Sequence, residues 1–440
     1  MKTDIRQISP GARTLFASRR LPELQRELIP NPCSLQVLGQ YLNGPLAERS
    51  PVPTYRTYLD IMQNSQWLSR PTYLEMELWK IAKHLFWPGK GIMGCDETVT
   101  TLGRRFRCVG MANEQEARRQ WRKLLFETPK LGTYISGVIM HPETVLQADD
   151  QGENFVTLLR KKGVVTGVKL DEGVQPLQGS LDEPVTVGLE NLAEKCEAFK
   201  NVGVHFAKWR CVYRISKTTP TTVAIHDNAQ TLARFASVCQ SKRMVPIIEP
   251  DIEQDGNHSL RRMQKVTEAV LAAVVKALQD HHVYLEGTIL KVNFVTPGMQ
   301  CSKKYTLKEM AECTVEAFQR TVPPSLQGIC FLAGSLKEQE ATAFLDAVVK
   351  TVTNKPWYTT FSFSRGVHMS TLELWRGNPE CVEIAQKHLI KRLEENQKAA
   401  LGKLFPPEEW AGNTEEGELY VTTHPFFEDG PRKPAAVLAG

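Results

Sequence analysis

The sequence is short of the marks that would assign it to several large classes. Its ten cysteines form no C-x-x-C pair and no spacing suited to zinc, which leaves them as reduced thiols in a reducing compartment. No apolar run reaches the roughly 18 residues that a membrane span needs, so a soluble chain is expected. Basic residues do not gather: Arg104-Arg105 and Lys303-Lys304 are only pairs, and a net charge of +5 is spread along 440 residues. A nucleic-acid footprint is therefore not expected. The histidines, among them His205, His258, His281 and His282, offer no metal-ligand constellation; the adjacent pair would diverge on a helix and is better suited to ending one. With 42% hydrophobic and 23% charged residues, the chain can bury one large core or two medium ones.

The N-terminal stretch differs in texture from the rest of the chain. Prolines at 10, 22, 30, 32, 45, 51, 53 and 71 separate short apolar pieces, and residues 1–72 read as an extension to the body. Arg6, Arg13, Arg19, Arg20 and Arg26 resemble a transit peptide, but Asp4, Glu23 and Glu27 break its acid-poor pattern. An arm that packs on the body or docks into a larger assembly is the expectation. The expected localisation is cytoplasmic, with organelle targeting left open. Residues 73–405 form the body and 406–440 a tail.

Within the body, β-rich runs alternate with helical stretches. Eight runs are found: Gly91 to Asp96, "GTYISGVIM" from Gly132, "GVVTGVKLD" from Gly163, "GVHFAKWRCVYRI" from Gly203, "MVPIIEP" from Met244, "GTILKVNF" from Gly287, "GICFLAG" from Gly328 and "WYTTFSFSR" from Trp357. A 3.6-residue period marks helices between them, clearest over 260–277 with Met263, Val266, Val270 and Val274, and again over 335–349. Eightfold alternation predicts an α/β fold of the (β/α)8 TIM-barrel type. A doubly wound open sheet is the competing architecture, but no G-x-G-x-x-G follows the first run and nothing marks a switch point.

The runs carry charges where apolar residues would be expected. Asp96 ends the first, Lys169 lies near the end of the third, Lys208 and Arg210 lie inside the fourth, Glu249 ends the fifth, Lys291 interrupts the apolar sixth and Arg365 ends the eighth. All read as late in their strands, and in a (β/α)8 barrel the strand ends converge on one mouth. A lysine crowded by cations has a disfavoured ammonium, so its amine can attack a carbonyl and form a Schiff base, for which Lys291 is best placed. Glu249 and Asp96 suit proton transfer. Lys169 and Arg365 suit phosphate groups, as does the turn at Gly334 if its N–H groups head a helix. Together these point to a phosphorylated sugar as substrate.

The segments "PGKGIMGCDET" (88–98), "HFAKWR" (205–210), "VPIIEPD" (245–251), "HHVYLEGTILKVN" (281–293), "VTPG" (295–298) and "KPWYTTFSFSR" (355–365) together resemble class I fructose-1,6-bisphosphate aldolase, the metal-independent Schiff-base type. The resemblance implies that Lys291 is the imine-forming nucleophile, Glu249 the general acid/base, Lys208 an aid to carbinolamine formation and dehydration, and Asp96 a proton-transfer group at the scissile bond. It places Asp251 as a second carboxylate, and Lys169, Arg210, Arg105, Arg365, Gly334 and Thr98 against substrate phosphates and hydroxyls. It implies no cofactor, no metal, and a homotetramer.

Several positions depart from the family pattern. Asp251 stands for a glutamate, Ala333 for a phosphate-binding serine, Ser364 for a glycine, Arg104 for a lysine and Val292 for a proline. The family's terminal tyrosine has no counterpart in "AAVLAG", with Tyr420 the nearest substitute if the tail folds back. Two functions are compatible with this pattern: cleavage of fructose 1,6-bisphosphate to dihydroxyacetone phosphate and glyceraldehyde 3-phosphate in glycolysis and gluconeogenesis, or an aldolase-derived structural or binding subunit of weak or no activity. A shift of substrate towards a monophosphate is a third, weaker reading.

Overall fold

The computed structural model describes residues 72–180, 182–351 and 355–404. The N-terminal extension up to residue 71, and the tail with Tyr420, lie outside the described residues. Ten strands are present among the described residues: β1 (Gly91–Cys95), β2 (Ile135–Met140), β3 (Val165–Lys169), β4 (Val174–Pro176), β5 (Pro184–Thr186), β6 (Phe206–Tyr213), β7 (Val245–Ile252), β8 (Ile289–Val292), β9 (Gly328–Phe331) and β10 (Tyr358–Phe361). Eight of them form one parallel sheet in the order β1-β2-β3-β6-β7-β8-β9-β10, and β4 and β5 form a small antiparallel hairpin. The two ends of the sheet meet where the Gly94 N–H donates to Phe363 O at 2.8 Å and the Thr360 hydroxyl to Lys90 O at 2.7 Å. The eight expected runs are the eight barrel strands, and the fold is the expected (β/α)8 barrel.

Alternation along the strands sorts side chains into two layers. Ile92, Ile139, Phe206, Val245, Ile247, Ile289 and Cys330 share one cluster inside the barrel, while Met93, Val138, Met140, Trp209, Ile248, Leu290, Ile329 and Phe331 pack outward among the helices. The helix Thr72–Leu85, which the strand-helix pattern did not announce, contributes Leu78, Ala82 and Leu85 to the inner cluster and stops the barrel at its base. Gly167 is small because the Phe206 ring fills the space beside it: a Cβ there would lie 2.0 Å from the ring.

The periodic stretch over 260–277 is a helix, Leu260–Asp280, begun by a bond from the Arg262 N–H to the Ser259 hydroxyl and ended at His281, as the His281-His282 pair suggested. The stretch over 335–349 becomes a helix only at Glu338, with Lys337 at its N-cap. Gly334 and Ser335 form a separate turn before it, so the expectation that Gly334 heads a helix is corrected. Among the described residues all nine cysteines are free thiols, and no helix is long and apolar enough to cross a membrane.

Phe206 is fully buried at the barrel's base and supports the layer above it. Phe206→Ala is expected to cost about 3–5 kcal/mol of stability, read as a lowered midpoint in urea unfolding. An unchanged midpoint would mean that the base of the barrel is not packed through this ring.

Candidate active site

Above the apolar inner layer the same alternation turns charged. Phe206 is followed at two-residue steps by Lys208 and Arg210, Ile247 by Glu249 and Asp251, and Ile289 by Lys291. These side chains therefore lie on the barrel's inner side, at the carboxyl end of the sheet. Lys208 Nζ stands 2.9 Å from Asp96 Oδ2 and 2.7 Å from Glu249 Oε2, and Lys291 Nζ stands 3.6 Å from Glu249 Oε1. All four residues are buried, at 4–8% exposure. A buried ammonium is costly alone, and here the two lysines and two carboxylates offset one another.

Burial pushes the Asp96 carboxyl up, but the Lys208 and Lys291 ammoniums outweigh it and hold it at about 2. Burial pushes Lys208 down, and the Asp96 and Glu249 carboxylates override that, holding it well above the usual lysine range. Lys208 is thus a fixed cation. The expected crowding of Lys291 by bare cations is corrected: carboxylates are interleaved with them, and the group set against Lys291 is Glu249.

The strand positions also need correction. Lys208 is the third residue of an eight-residue strand, and Glu249 is the fifth of another. Pairing explains why both still reach the mouth. β3 stops opposite β6 at the Lys169–Lys208 pair, and β8 meets β7 only through Ile248, whereas β6 and β7 stay paired to Tyr213 and Ile252. These two strands overhang the rim as a ribbon. Arg365 does not end a strand; it is the first residue of the helix Arg365–Trp375.

Around this centre lie the other expected residues, each with a partner. Arg210 holds Asp251 Oδ2 through Nε at 2.6 Å, and Asn293 Nδ2 donates to Asp251 Oδ1 at 2.9 Å, so the shorter carboxylate is tied in place. Lys169 Nζ lies 2.6 Å from Asp171 Oδ1. The Thr98 hydroxyl accepts from the Thr101 N–H and caps the helix Val99–Cys108, which carries Arg105. Arg105 is paired with Glu97, whose side chain is only 4% exposed and which also takes Arg122 Nη2 and the Ser364 hydroxyl at 2.5 Å each. Burial raises the Glu97 carboxyl, but Arg122 and Arg105 carry it well below its usual range. Arg365 is pushed down to about 10, by burial first and by Arg105 second.

Glu97, Arg122, Asp171 and Asn293 are parts of the site that sequence reasoning did not select. Asp171 and Glu97 had a signal, since each is an acid at the end of a strand-like run. Arg122 had none, because it sits inside an amphipathic helix, whereas Asn293 was a polar residue within the apolar run "GTILKVNF" and was passed over because it carries no charge. Ala333 faces the start of the helix Arg365–Trp375: its Cβ lies 3.0 Å from where a Cβ on Gly366 would stand.

Comparison with known proteins agrees with this architecture over most of the chain. The family model for fructose-bisphosphate aldolase class-I matches residues 77–426. A fructose-bisphosphate aldolase of Drosophila melanogaster is 48% identical over 354 residues, which are 80% of this chain and 97% of that one. Fructose-bisphosphate aldolase C of Homo sapiens is 46% identical over 356 residues, covering 80% of this chain and 96% of that one. Among solved structures, the aldolase of Plasmodium falciparum, crystallised with TRAP and a small-molecule inhibitor, superimposes with a TM-score of 0.75 at 40% identity, covering 76% of this chain and 97% of that one. With the matching family model spanning most of its length, the chain belongs to the class-I fructose-bisphosphate aldolase family, carbon–carbon lyases that cleave fructose 1,6-bisphosphate.

Proposed function

We propose that cleavage proceeds through an imine on Lys291, and the observation that carries the proposal is the buried chain of Lys291, Glu249, Lys208 and Asp96. Lys291 gives up its proton to the neighbouring carboxylate, and the free amine adds to the ketose carbonyl at C2, forming a C–N bond as the C=O π pair moves to oxygen, which takes a proton from the new ammonium to give the carbinolamine. Glu249 delivers a proton to the carbinolamine hydroxyl, which leaves as water, while the fixed charge of Lys208 steadies the departing oxygen and holds Glu249 in reach.

The resulting iminium is an electron sink. Removal of the C4 hydroxyl proton, assisted by Asp96, sends the C3–C4 bonding pair into it. Glyceraldehyde 3-phosphate leaves, and an enamine stays on Lys291. Protonation at C3 and hydrolysis of the imine then release dihydroxyacetone phosphate and restore the amine. Lys169, Arg210 and Arg105, with the Arg365 side chain, the Gly334 turn and Thr98, are proposed to bind the phosphates and hydroxyls. Asp251 fixes Arg210 for that task. No cofactor or metal enters these steps.

The assembly proposed by family likeness is a homotetramer working in the cytoplasm, with residues 1–71 available for docking into a larger assembly or for targeting. The subunit-only alternative finds less support, because the charge chain needed for imine chemistry is complete.

Lys291→Arg keeps a cation in place but has no amine that can add to a carbonyl, so turnover of fructose 1,6-bisphosphate should fall below detection while the fold is kept. Activity within tenfold of the parent would reject the assignment. Asp96 gives a second test. Its carboxyl sits at about 2 in the folded chain against 3.8 unperturbed, so the stability it lends is full above the unfolded value and is lost as pH falls through the folded one. The parent should lose about 2 kcal/mol between pH values of about 4 and 2 that Asp96→Asn does not lose, read from urea midpoints at each pH. Parallel acid profiles would contradict the pairing of Asp96 with Lys208.

A further inference from the structure

The chain leaving β9 turns sharply at Gly334, whose φ of +58° lies in the left-handed region. A Cβ at this position would stand 2.3 Å from Gln254 Oε1, so the glycine leaves open the space that this amide oxygen enters. Gln254 belongs to the chain after β7, on the far side of β8 from the turn. Its Oε1 accepts from the Ser335 N–H at 2.9 Å and from the Ser335 hydroxyl at 2.7 Å, while its Nε2 donates to Thr296 Oγ1 at 3.0 Å. The backbone of Gln254 is held independently, its carbonyl accepting from the Met299 N–H at 2.9 Å. One side chain, 6% exposed, thus links the chain beyond β7, β8 and β9, passing above the strand of Lys291.

The surroundings of that oxygen are those of an anion site. A backbone N–H and a hydroxyl converge on one point beside a positive-φ glycine, and Ala333, just before that glycine, packs against Gly366 in the first turn of the helix Arg365–Trp375. The oxygen found there is neutral and belongs to the protein. Both donors of Ser335 are committed to it, so an incoming anion has to take them away.

We propose that Gln254 is a specificity-determining residue whose amide oxygen stands in for a phosphate oxygen, and that a substrate phosphate binds only by displacing it from Ser335. The proposal rests on the aldolase reading for the identity of the phosphate. It makes the chain a weaker phosphate binder than its donors alone would allow. It also keeps the three loops joined when no substrate is present. The displaced amide can turn to water, which limits the penalty to about the worth of one or two neutral hydrogen bonds.

The test measures inorganic phosphate affinity by isothermal titration calorimetry, and KM and kcat for fructose 1,6-bisphosphate, on the full chain and on Gln254→Ala and Gln254→Glu. Gln254→Ala should bind phosphate about three- to tenfold more tightly and lower KM by a similar factor, with kcat within about twofold. Gln254→Glu, which sets a negative charge where the phosphate oxygen belongs, should bind at least about tenfold more weakly. Opposite movements of the two variants cannot come from general loss of fold. Phosphate affinity unchanged or weakened in a folded Gln254→Ala overturns the proposal, since the residue would then hold Ser335 for phosphate rather than compete with it. If Gln254→Ala does not fold, a Gln254→Glu variant with parental affinity overturns it equally. A parent chain without cleavage activity would reject the aldolase reading, and the calorimetric order would still decide the role of Gln254.

Discussion

An ammonium enclosed in a barrel is tolerated only where carboxylates enclose it too, and Lys208 meets that condition twice. Asp96 from the end of β1 and Glu249 from β7 reach it from opposite sides of the barrel, and Lys291 joins through the second carboxylate. Removing one member would leave a buried charge uncompensated, a loss of several kcal/mol by the usual experience with such networks, on the order of 3–5 kcal/mol. The network therefore constrains far more than chemistry. It requires strands from separate parts of the chain to hold their registers to within a hydrogen bond, and it requires a dry, well-packed layer beneath it. Phe206, Ile247 and Ile289 provide that layer, each two residues ahead of a charged group on the same face of its strand.

The overhang of β6 and β7 is the second consequence. Were both strands to stop level with β3, Arg210 and Asp251 would stand on unpaired chain beyond the sheet. Continued pairing to Tyr213 and Ile252 sets Arg210 opposite Glu249 and Asp251 opposite Val212, so that the Arg210 side chain reaches diagonally to Asp251, whose carboxylate Asn293, just after β8, also fixes. Aspartate in place of the family's glutamate is thereby accommodated, since arginine and asparagine both reach it. A second charged cluster, centred on Glu97, anchors Arg105 and Ser364 beside Arg365. Its serine lies where the family carries glycine, and its hydroxyl is absorbed by Glu97.

Much of this was legible in the sequence, and the reasons are specific. Barrel strands are largely buried, so they read as short β-rich runs, six of them opened by glycine and the other two by Met244 and Trp357, and all eight were found that way. The charged residues stood out because an apolar strand has few reasons to carry lysine. Strand lengths were less legible: the overhang depends on which neighbour a strand keeps, and that information lies in other strands. The helix Thr72–Leu85 was missed because it precedes the first strand, outside the strand-then-helix alternation, and follows directly on a proline-rich segment. The role of Gln254 was invisible, since a glutamine after a strand looks like any loop residue until the turn it fills is seen. Gly334 suggested an anion site, and the turn does gather donors, but a side chain from another loop already uses them.

We propose Lys291, not the equally buried Lys208, as the residue that carries the covalent step. Incubating the chain with dihydroxyacetone phosphate and borohydride reduces any imine to a stable secondary amine, which peptide mass mapping can locate. One modified lysine is expected, Lys291, because Lys208 is held as an ammonium by two carboxylates. An adduct on Lys208, or no adduct in a chain that cleaves the sugar, would contradict it.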